Sequence, residues 1–526
     1  MSEPVDVVVA GAGHNSLIAA AYLARAGYEV RVLEERPIAG GNTATEKLTG
    51  PGFLHDSCST AHVLIQASPT LRDDELGLLS DYGLEYLHPD PVVVIPFPDG
   101  RSITQWRDLD RTCDELARFS ARDADAYRRL IADYDAVRTV FGRERYLPAG
   151  EGAPAPGLLP ARWVRRRAES AWDVIEREFE DPHVRAFLLW MAMQTIQPPD
   201  RPGTGPLASS LVYGRQTQSW VVPRGGSGAL PAALERCLSD HGGSVLTGRR
   251  VSELVLERGR CVGVRTADGE EHRARHGVLS TIHVKHLVDM APAGAWGPDF
   301  LEGVAAFRAG MTLFAAYYAT TEPPLFTTED GPRASVAAGT PTSVERLLRV
   351  GTDFAAARVA LDDPWLLVVT ATVADPSRAP DGGHTLKILG LQPYEAGDWD
   401  ARKDEVAAAH LAQLRRYAPN LTDDKIVASA VHSPLDLERF NAHNWRGTCH
   451  GGDLSPAQSG ALRPVAGWAQ HRMPIPGLYQ TGATTHPGGS VSGAPGRNAA
   501  MVMLRDLGTS IEEVVAGAGR ARAGRD

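Results

Sequence analysis

Val5-Asp6-Val7-Val8-Val9-Ala10-Gly11-Ala12-Gly13-His14-Asn15-Ser16 is the stretch on which the reading of this 526-residue chain turns. The β-branched run suits a strand buried on both faces, and the glycines come directly after it. Leu17 to Ala26 then reads as an alanine- and leucine-rich helix stopped by Gly27, and Tyr28 to Leu33 as a second strand ending at Glu34. Strand, glycine turn, helix, strand and acid form one unit, with the acid 23 positions after the first glycine. Each part has a physical task. Gly11 permits a tight turn, and Gly13 lets the backbone approach a pyrophosphate. The helix start at His14, Asn15 and Ser16 offers free N–H groups and a partial positive charge, and Glu34 can accept hydrogen bonds from a ribose. The unit predicts dinucleotide binding on a Rossmann-like α/β fold. Ser16 replaces the usual third glycine, where helix packs on strand, and a small serine should fit with some loss of closeness.

The residues after the acid separate two kinds of dinucleotide. Glu34-Glu35-Arg36-Pro37-Ile38-Ala39-Gly40-Gly41-Asn42-Thr43 carries a second glycine pair, which an NAD-dependent dehydrogenase would not need. Together with the first turn, this stretch resembles the FAD-binding N-terminus of the flavoprotein amine oxidase and phytoene desaturase superfamily. It is especially similar to the phytoene desaturase-related branch that includes retinol saturase-like proteins. The likeness recurs at Pro223 to Leu230, at Val251 to Leu254, at Gly277 to Thr281, and at Gly477 to Ala500 with its Thr481-Gly482-Ala483-Thr484-Thr485-His486-Pro487-Gly488-Gly489-Ser490-Val491 loop.

The resemblance implies an amine-oxidase-type FAD domain with an inserted α+β substrate domain. Residues 1–70, 215–285 and 455–510 are expected in the first and 71–214 and 286–454 in the second, with 511–526 a disordered tail. It implies FAD held by Gly11, Gly13, His14, Asn15, Ser16, Glu34, Glu35, Arg36, Gly40, Gly41, Asn42 and the Val251 backbone. Gly482, Gly489, Ser490 and Val491 are expected around the flavin ring, where helix dipole and N–H donors stabilise charge near N1 and O2 of the reduced flavin. His486 is the candidate catalytic residue, orienting substrate or relaying a proton, with capping of the next helix as the plain alternative. The family's cysteinyl flavin attachments lie in a loop that here reads Thr484 to Gly488, so FAD is expected to be noncovalent.

The expected reaction passes a hydride from an apolar, isoprenoid or specialised-metabolite substrate to flavin N5 and leaves a new double bond. An amine or amino-acid oxidase on the same fold, and a flavin-binding non-enzyme acting through partners, are the alternatives. No second G-x-G-x-x-G unit and no C-x-x-C accompany the first motif, which points to reoxidation by oxygen or a quinone.

Composition excludes other classes. Lys plus Arg number 54 against 64 Asp plus Glu, a net charge of −10 with no long basic block, so nucleic acid is not expected as a partner. The five cysteines are scattered and no His, Cys or carboxylate group shows ligand spacing, so neither disulfides nor a metal is expected, and the compartment should be reducing, hence cytoplasmic. A strand begins at Val5, where a secretory leader would need an apolar core, so the N-terminus is expected within the fold. Leu158 to Arg167 reads as a solvated arginine face or as a peripheral membrane contact. Arg224 reads as an ion-pair partner rather than a catalytic group.

Overall fold

The computed structural model describes residues 3–155, 157–329, 333–340 and 343–523. The opening unit folds as its residues dictate. Strand β1 (Val5–Ala10) is almost wholly buried and continues through the glycine turn into helix α1 (His14–Arg25). That helix buries every residue from His14 to Ala24, because it is covered all round. Gly27, at φ 94°, ends it in a conformation open to glycine. Strand β2 (Val30–Leu33) then pairs parallel with β1.

Among the described residues two seven-stranded sheets form the frame. In the first, β1 lies between β2 and β3 (Glu271–Ser280), both parallel to it, and Ser244–Leu246 extends the β2 edge. The C-terminal half of β3 also pairs parallel with β4 (Leu478–Gln480), whereas its N-terminal half joins an antiparallel pair formed by Val251–Glu257 and Arg260–Thr266. The second sheet takes its strands from residues 93–105 and 313–432 and is antiparallel except where Ala337–Gly339 meets Val93–Pro96. Helices α2 (Pro182–Met193) and α3 (Leu207–Gln218) pack on that sheet through Trp190, Met191, Ala208 and Val212. Helix α4 (Ala494–Asp506) packs on α1 in the core of the first sheet. The α/β class and the Rossmann-like arrangement expected from the sequence are the ones observed.

A buried ion pair ties the first of these cores together. Arg497 on α4 grips Glu75 with two hydrogen bonds of 2.8 Å, and the Tyr22 hydroxyl of α1 bonds the same carboxylate at 2.5 Å. Both charged side chains are about nine-tenths buried.

One expectation changes. Residues 511–523 are not a disordered tail but helix α5 (Ile511–Ala523). Ser510 and Glu513 form a reciprocal cap, each backbone N–H donating to the other's side chain at 3.2 Å, and Ile511 and Val514 are buried against the α1 core. Residues 524–526 lie outside the described residues. In the 158–167 stretch the helix spans only Ala161–Arg166, and Trp163 points inward against Tyr134 and Phe141. Its arginines pair with Asp133, Glu169 and Glu178. Leu158 and Val164 of the same stretch are exposed. No helix among the described residues is long and apolar enough to cross a membrane.

Candidate active site

A cavity of about 420 Å³ opens at the carboxyl ends of β1 and β3 and runs to the second sheet. Its near end is made by the glycine turns. Gly11 has φ 96°, and a Cβ there would lie 2.4 Å from Thr281 Cγ2; Gly482 has φ 90°, and its Cβ would lie 2.5 Å from Thr281 Oγ1. The N-terminal and C-terminal turns thus close on one threonine from opposite sides, leaving no room for a side chain on either. Gly41 brings the second glycine pair against the first, its Cβ position 3.3 Å from Gly13 Cα.

Gly13 is different. Its φ of −69° and ψ of 158° suit any residue, and a Cβ there meets nothing within 4 Å. The protein leaves this position open on the cavity side. Beyond it, helix geometry leaves the first amides of α1 without intrahelical acceptors, and His14 Nε2 and Asn15 Oδ1 are buried without a hydrogen-bond partner. Glu34 ends β2 with Oε2 accepting from the Ala12 N–H at 2.7 Å and Oε1 from the Arg36 N–H at 2.9 Å. Burial raises its pKa, and the two amides pull back against that rise. Free helix-start amides, an unfilled glycine and a fixed carboxylate are a donor and acceptor set that fits the phosphates and ribose of a dinucleotide.

Of the residues singled out in the sequence, Gly11, Gly13, His14, Asn15, Glu34, Gly41, Asn42, Gly482, Gly489, Ser490 and Val491 line this cavity. Others do not. Ser16 turns inward, its Oγ 2.6 Å from the Gly11 carbonyl and 2.9 Å from that of Gly13, so it braces the turn rather than merely fitting beside it. Gly40 supports from behind, donating to the Ala12 carbonyl. Glu35 is exposed, Arg36 stacks on Phe440 and pairs with Glu46, and Val251 is buried in its strand. Arg224 is an exposed ion-pair partner of Glu85, as expected.

His486 stands apart from these residues. It is buried off the cavity wall, with Nε2 2.9 Å from the Glu144 carbonyl, while its neighbour Pro487 lines the cavity. The backbone carbonyls ending the 138–146 helix supply an acceptor that draws the imidazole away. The histidines on the wall are His14, His443 and His450. His443 Nδ1 lies 2.8 Å from the Thr281 carbonyl, which can only accept, so Nδ1 carries the proton and Nε2 a lone pair. Burial pulls all three to about 4, leaving them neutral at physiological pH.

The far end comes from segments in which the sequence carried no motif. Leu313, Leu367 and Leu389 present from three neighbouring strands, joined by Trp365, Leu211 and Trp220. Gln194, Thr195 and Gln197, just beyond α2, and Arg215 add polar groups there, while Arg145 lines the wall beside the loop of His486 and Pro487. Glu34, at the near end, is the only acid on the described wall. Buried Arg463 braces one side, donating from Nε and Nη2 to the Ala483 carbonyl and from its two Nη groups to the carbonyls of Asp453, Gln458, His450 and Gly451. Among the described residues no group of three or more His, Cys, Asp or Glu is placed to hold a metal ion.

Known proteins share this organisation. The chain is 28% identical over 552 residues to one of the subunits of the limonene dehydrogenase of Castellaniella defragrans, covering 97% of each. It is 26% identical over 533 residues to the lycopene-forming phytoene desaturase of Pseudescherichia vulneris, covering 95% of this chain and 99% of that one. Among solved structures, an oxidoreductase from Methanosarcina mazei matches with a TM-score of 0.63 at 17% identity, covering 95% of this chain and 100% of that one. Cyclohexylamine oxidase from Brevibacterium oxydans matches with a TM-score of 0.58 at 18% identity, covering 96% and 100%. These relatives bear out the resemblance to the phytoene desaturase-related branch. The flavin containing amine oxidoreductase family matches residues 17–504. The chain belongs to that family and is a flavin-dependent oxidoreductase.

Proposed function

We propose that the chain is an FAD-dependent desaturase or dehydrogenase that introduces a double bond into an apolar substrate. The observation that carries this reading is the division of the cavity into a near end of glycines, helix-start amides and Glu34, and a far end walled by leucines and tryptophans with no acid among its described residues. Gly11, Gly13, His14, Asn15, Glu34, Gly41 and Asn42 would hold the dinucleotide, with Gly482, Gly489, Ser490 and Val491 around its flavin. When bound, the flavin supplies a two-electron acceptor for a hydride, the chemistry that making a carbon–carbon double bond requires.

The chain's own residues do the rest. Leu313, Leu367, Leu389 and Trp365 exclude water and align the apolar body of the substrate. Neutral His443 offers Nε2 only as an acceptor, of a hydrogen bond or of the proton leaving the neighbouring carbon. FAD is held noncovalently, since the loop from Thr484 to Gly488 holds no cysteine. Oxygen or a quinone then reoxidises the enzyme. An amine substrate is disfavoured, because a far end with Arg215 and no acid among its described residues repels an ammonium group.

The test is anaerobic bleaching of the protein-bound flavin's visible absorption across polyenes, other apolar alkenes and acids, amines and amino acids. Bleaching by apolar compounds, with a new double bond in the product, is the expected result. Bleaching by amines or amino acids alone would overturn the reading.

A further inference from the structure

Five arginines are buried among the described residues, and one of them lacks what the others have. Arg166, Arg378 and Arg497 each face a carboxylate, of Glu178, Asp56 and Glu75 respectively. Arg463 has no carboxylate but directs its donors at backbone carbonyls 2.6 to 3.1 Å away. Arg215, which α3 carries to the cavity wall, has neither. Among the described residues the only hydrogen bond of its guanidinium runs from Nη2 to Gln194 Oε1 at 3.3 Å, and Nε and Nη1 are buried with no partner. Its guanidinium carbon sits over Trp220, 3.7 Å from the ring centroid. Burial pulls it down to about 9, with no acidic neighbour opposing the shift.

A guanidinium taken out of water without a counter-charge is costly, and its free N–H groups need acceptors. No described residue of the wall supplies one to Nε or Nη1. Glu34, the only acid on the described wall, is at the near end and already accepts from two amides. The groups around Arg215 nevertheless form a built seat. Trp220 lies under the guanidinium, Gln194 holds one edge, and Leu211, from the preceding turn of α3, adds an apolar flank. Charge, hydrogen-bond donors and apolar walls together describe a receptor for an anion on a greasy body, and a carboxylate is the group that matches a guanidinium best.

We propose that Arg215, seated on Trp220 and edged by Gln194, receives a carboxylate at one end of an otherwise apolar substrate. The proposal rests on reading the cavity as the substrate site of a dehydrogenase, and it narrows the substrate class from hydrocarbons to apolar acids.

The experiment uses the flavin-loaded enzyme and isoprenoid carboxylates of three chain lengths (geranate, farnesoate and retinoate), each beside its own alcohol. Binding is read from perturbation of the flavin spectrum. At least one acid should bind about tenfold or more tightly than its alcohol. The preference should collapse to about twofold or less in Arg215→Gln and persist in part in Arg215→Lys, which keeps the charge. Gln194→Leu, which leaves the arginine in place, should reduce the preference without abolishing it. Equal binding of every acid and its alcohol overturns the proposal, as does a preference that survives Arg215→Gln. So does loss of flavin from Arg215→Gln at an unchanged acid-to-alcohol ratio, which would make the arginine a cofactor contact.

Anaerobic bleaching on the same samples separates this inference from the functional reading. Acid preference without bleaching by any apolar compound removes the dehydrogenase reading and leaves the carboxylate seat. Bleaching by alcohols or hydrocarbons with no acid preference does the reverse.

Discussion

Replacing Gly13 by valine and, separately, Gly11 by alanine perturbs two glycines of one turn for opposite reasons. At Gly13 the backbone is extended and a Cβ meets nothing within 4 Å, so the protein has no objection to a side chain. Flavin-free Gly13→Val should differ from the flavin-free parent by no more than about 1 kcal/mol, the usual range for backbone-entropy and N-cap effects. The objection comes from the ligand. Three carbons in the pyrophosphate's approach push it off the α1 amides, and two lost bonds to a charged acceptor at about 1.5–3 kcal/mol each weaken FAD binding by about 100-fold to 10,000-fold. At Gly11 the situation reverses. A left-handed φ costs about 1–2 kcal/mol and a Cβ 2.4 Å from Thr281 Cγ2 about 1–3 more, so Gly11→Ala should lose about 2–5 kcal/mol of stability with or without flavin. The flavin-to-protein ratio of each purified variant, and denaturant midpoints on flavin-stripped protein, measure the two effects apart; stripping matters because bound ligand itself adds stability. Gly13→Val purified with a full complement of flavin would refute the assignment of the near end.

Three further outcomes are expected. Glu75→Ala leaves Arg497 buried without its carboxylate and should cost about 3–5 kcal/mol in a denaturant titration, and a loss under about 1 kcal/mol would mean that the pair does not tie α4 to α1. Lys387 is buried, donates to the Asp56 and Cys58 carbonyls, and is pulled by burial from 10.5 to about 8. Between those values the unfolded chain binds more protons than the folded one, so stability relative to Lys387→Met should rise with pH by about 2.4 kcal/mol from pH 7.5 to 10; a pH-independent difference would contradict a buried cation. Since His14, His443 and His450 are all held near 4 by burial, flavin reduction by an apolar substrate should be flat between about pH 6 and 8, and an inflection there that disappears in His443→Gln would show that His443 titrates instead.

The near end of the cavity was legible because it is local. Strand, turn, helix and acid lie within Val5 to Glu34, and each residue's conformational demand can be read from its type. Ser16 was seen as a tolerated substitution, but its bracing bonds to Gly11 and Gly13 depend on a turn geometry that composition does not reveal. The direction of the His486 ring was not legible, because a histidine in a glycine-rich loop says nothing of which way its ring turns, and its partner is a carbonyl 342 positions earlier. The α5 helix was obscured by its small and arginine-rich end, although Ser510 and Glu513 stood at capping-box spacing. Arg215, Gln194 and Trp220 were invisible as a group. They sit in helical and buried stretches that read as ordinary core, and only tertiary packing brings them to one wall.

The two ends of the cavity also differ in what inheritance can do with them. The near end is assembled from residues 11–60 and 441–491, where a side chain on Gly11, Gly41 or Gly482 would collide or strain the backbone. Most of the far end is assembled from residues 194–220 and 313–389, where a leucine exchanged for a smaller or bulkier neighbour reshapes the chamber and leaves the glycine turns untouched. Selection can therefore retune one end by single steps while the other is held fixed. A lineage built this way would diversify in what it accepts far faster than in the cofactor it uses.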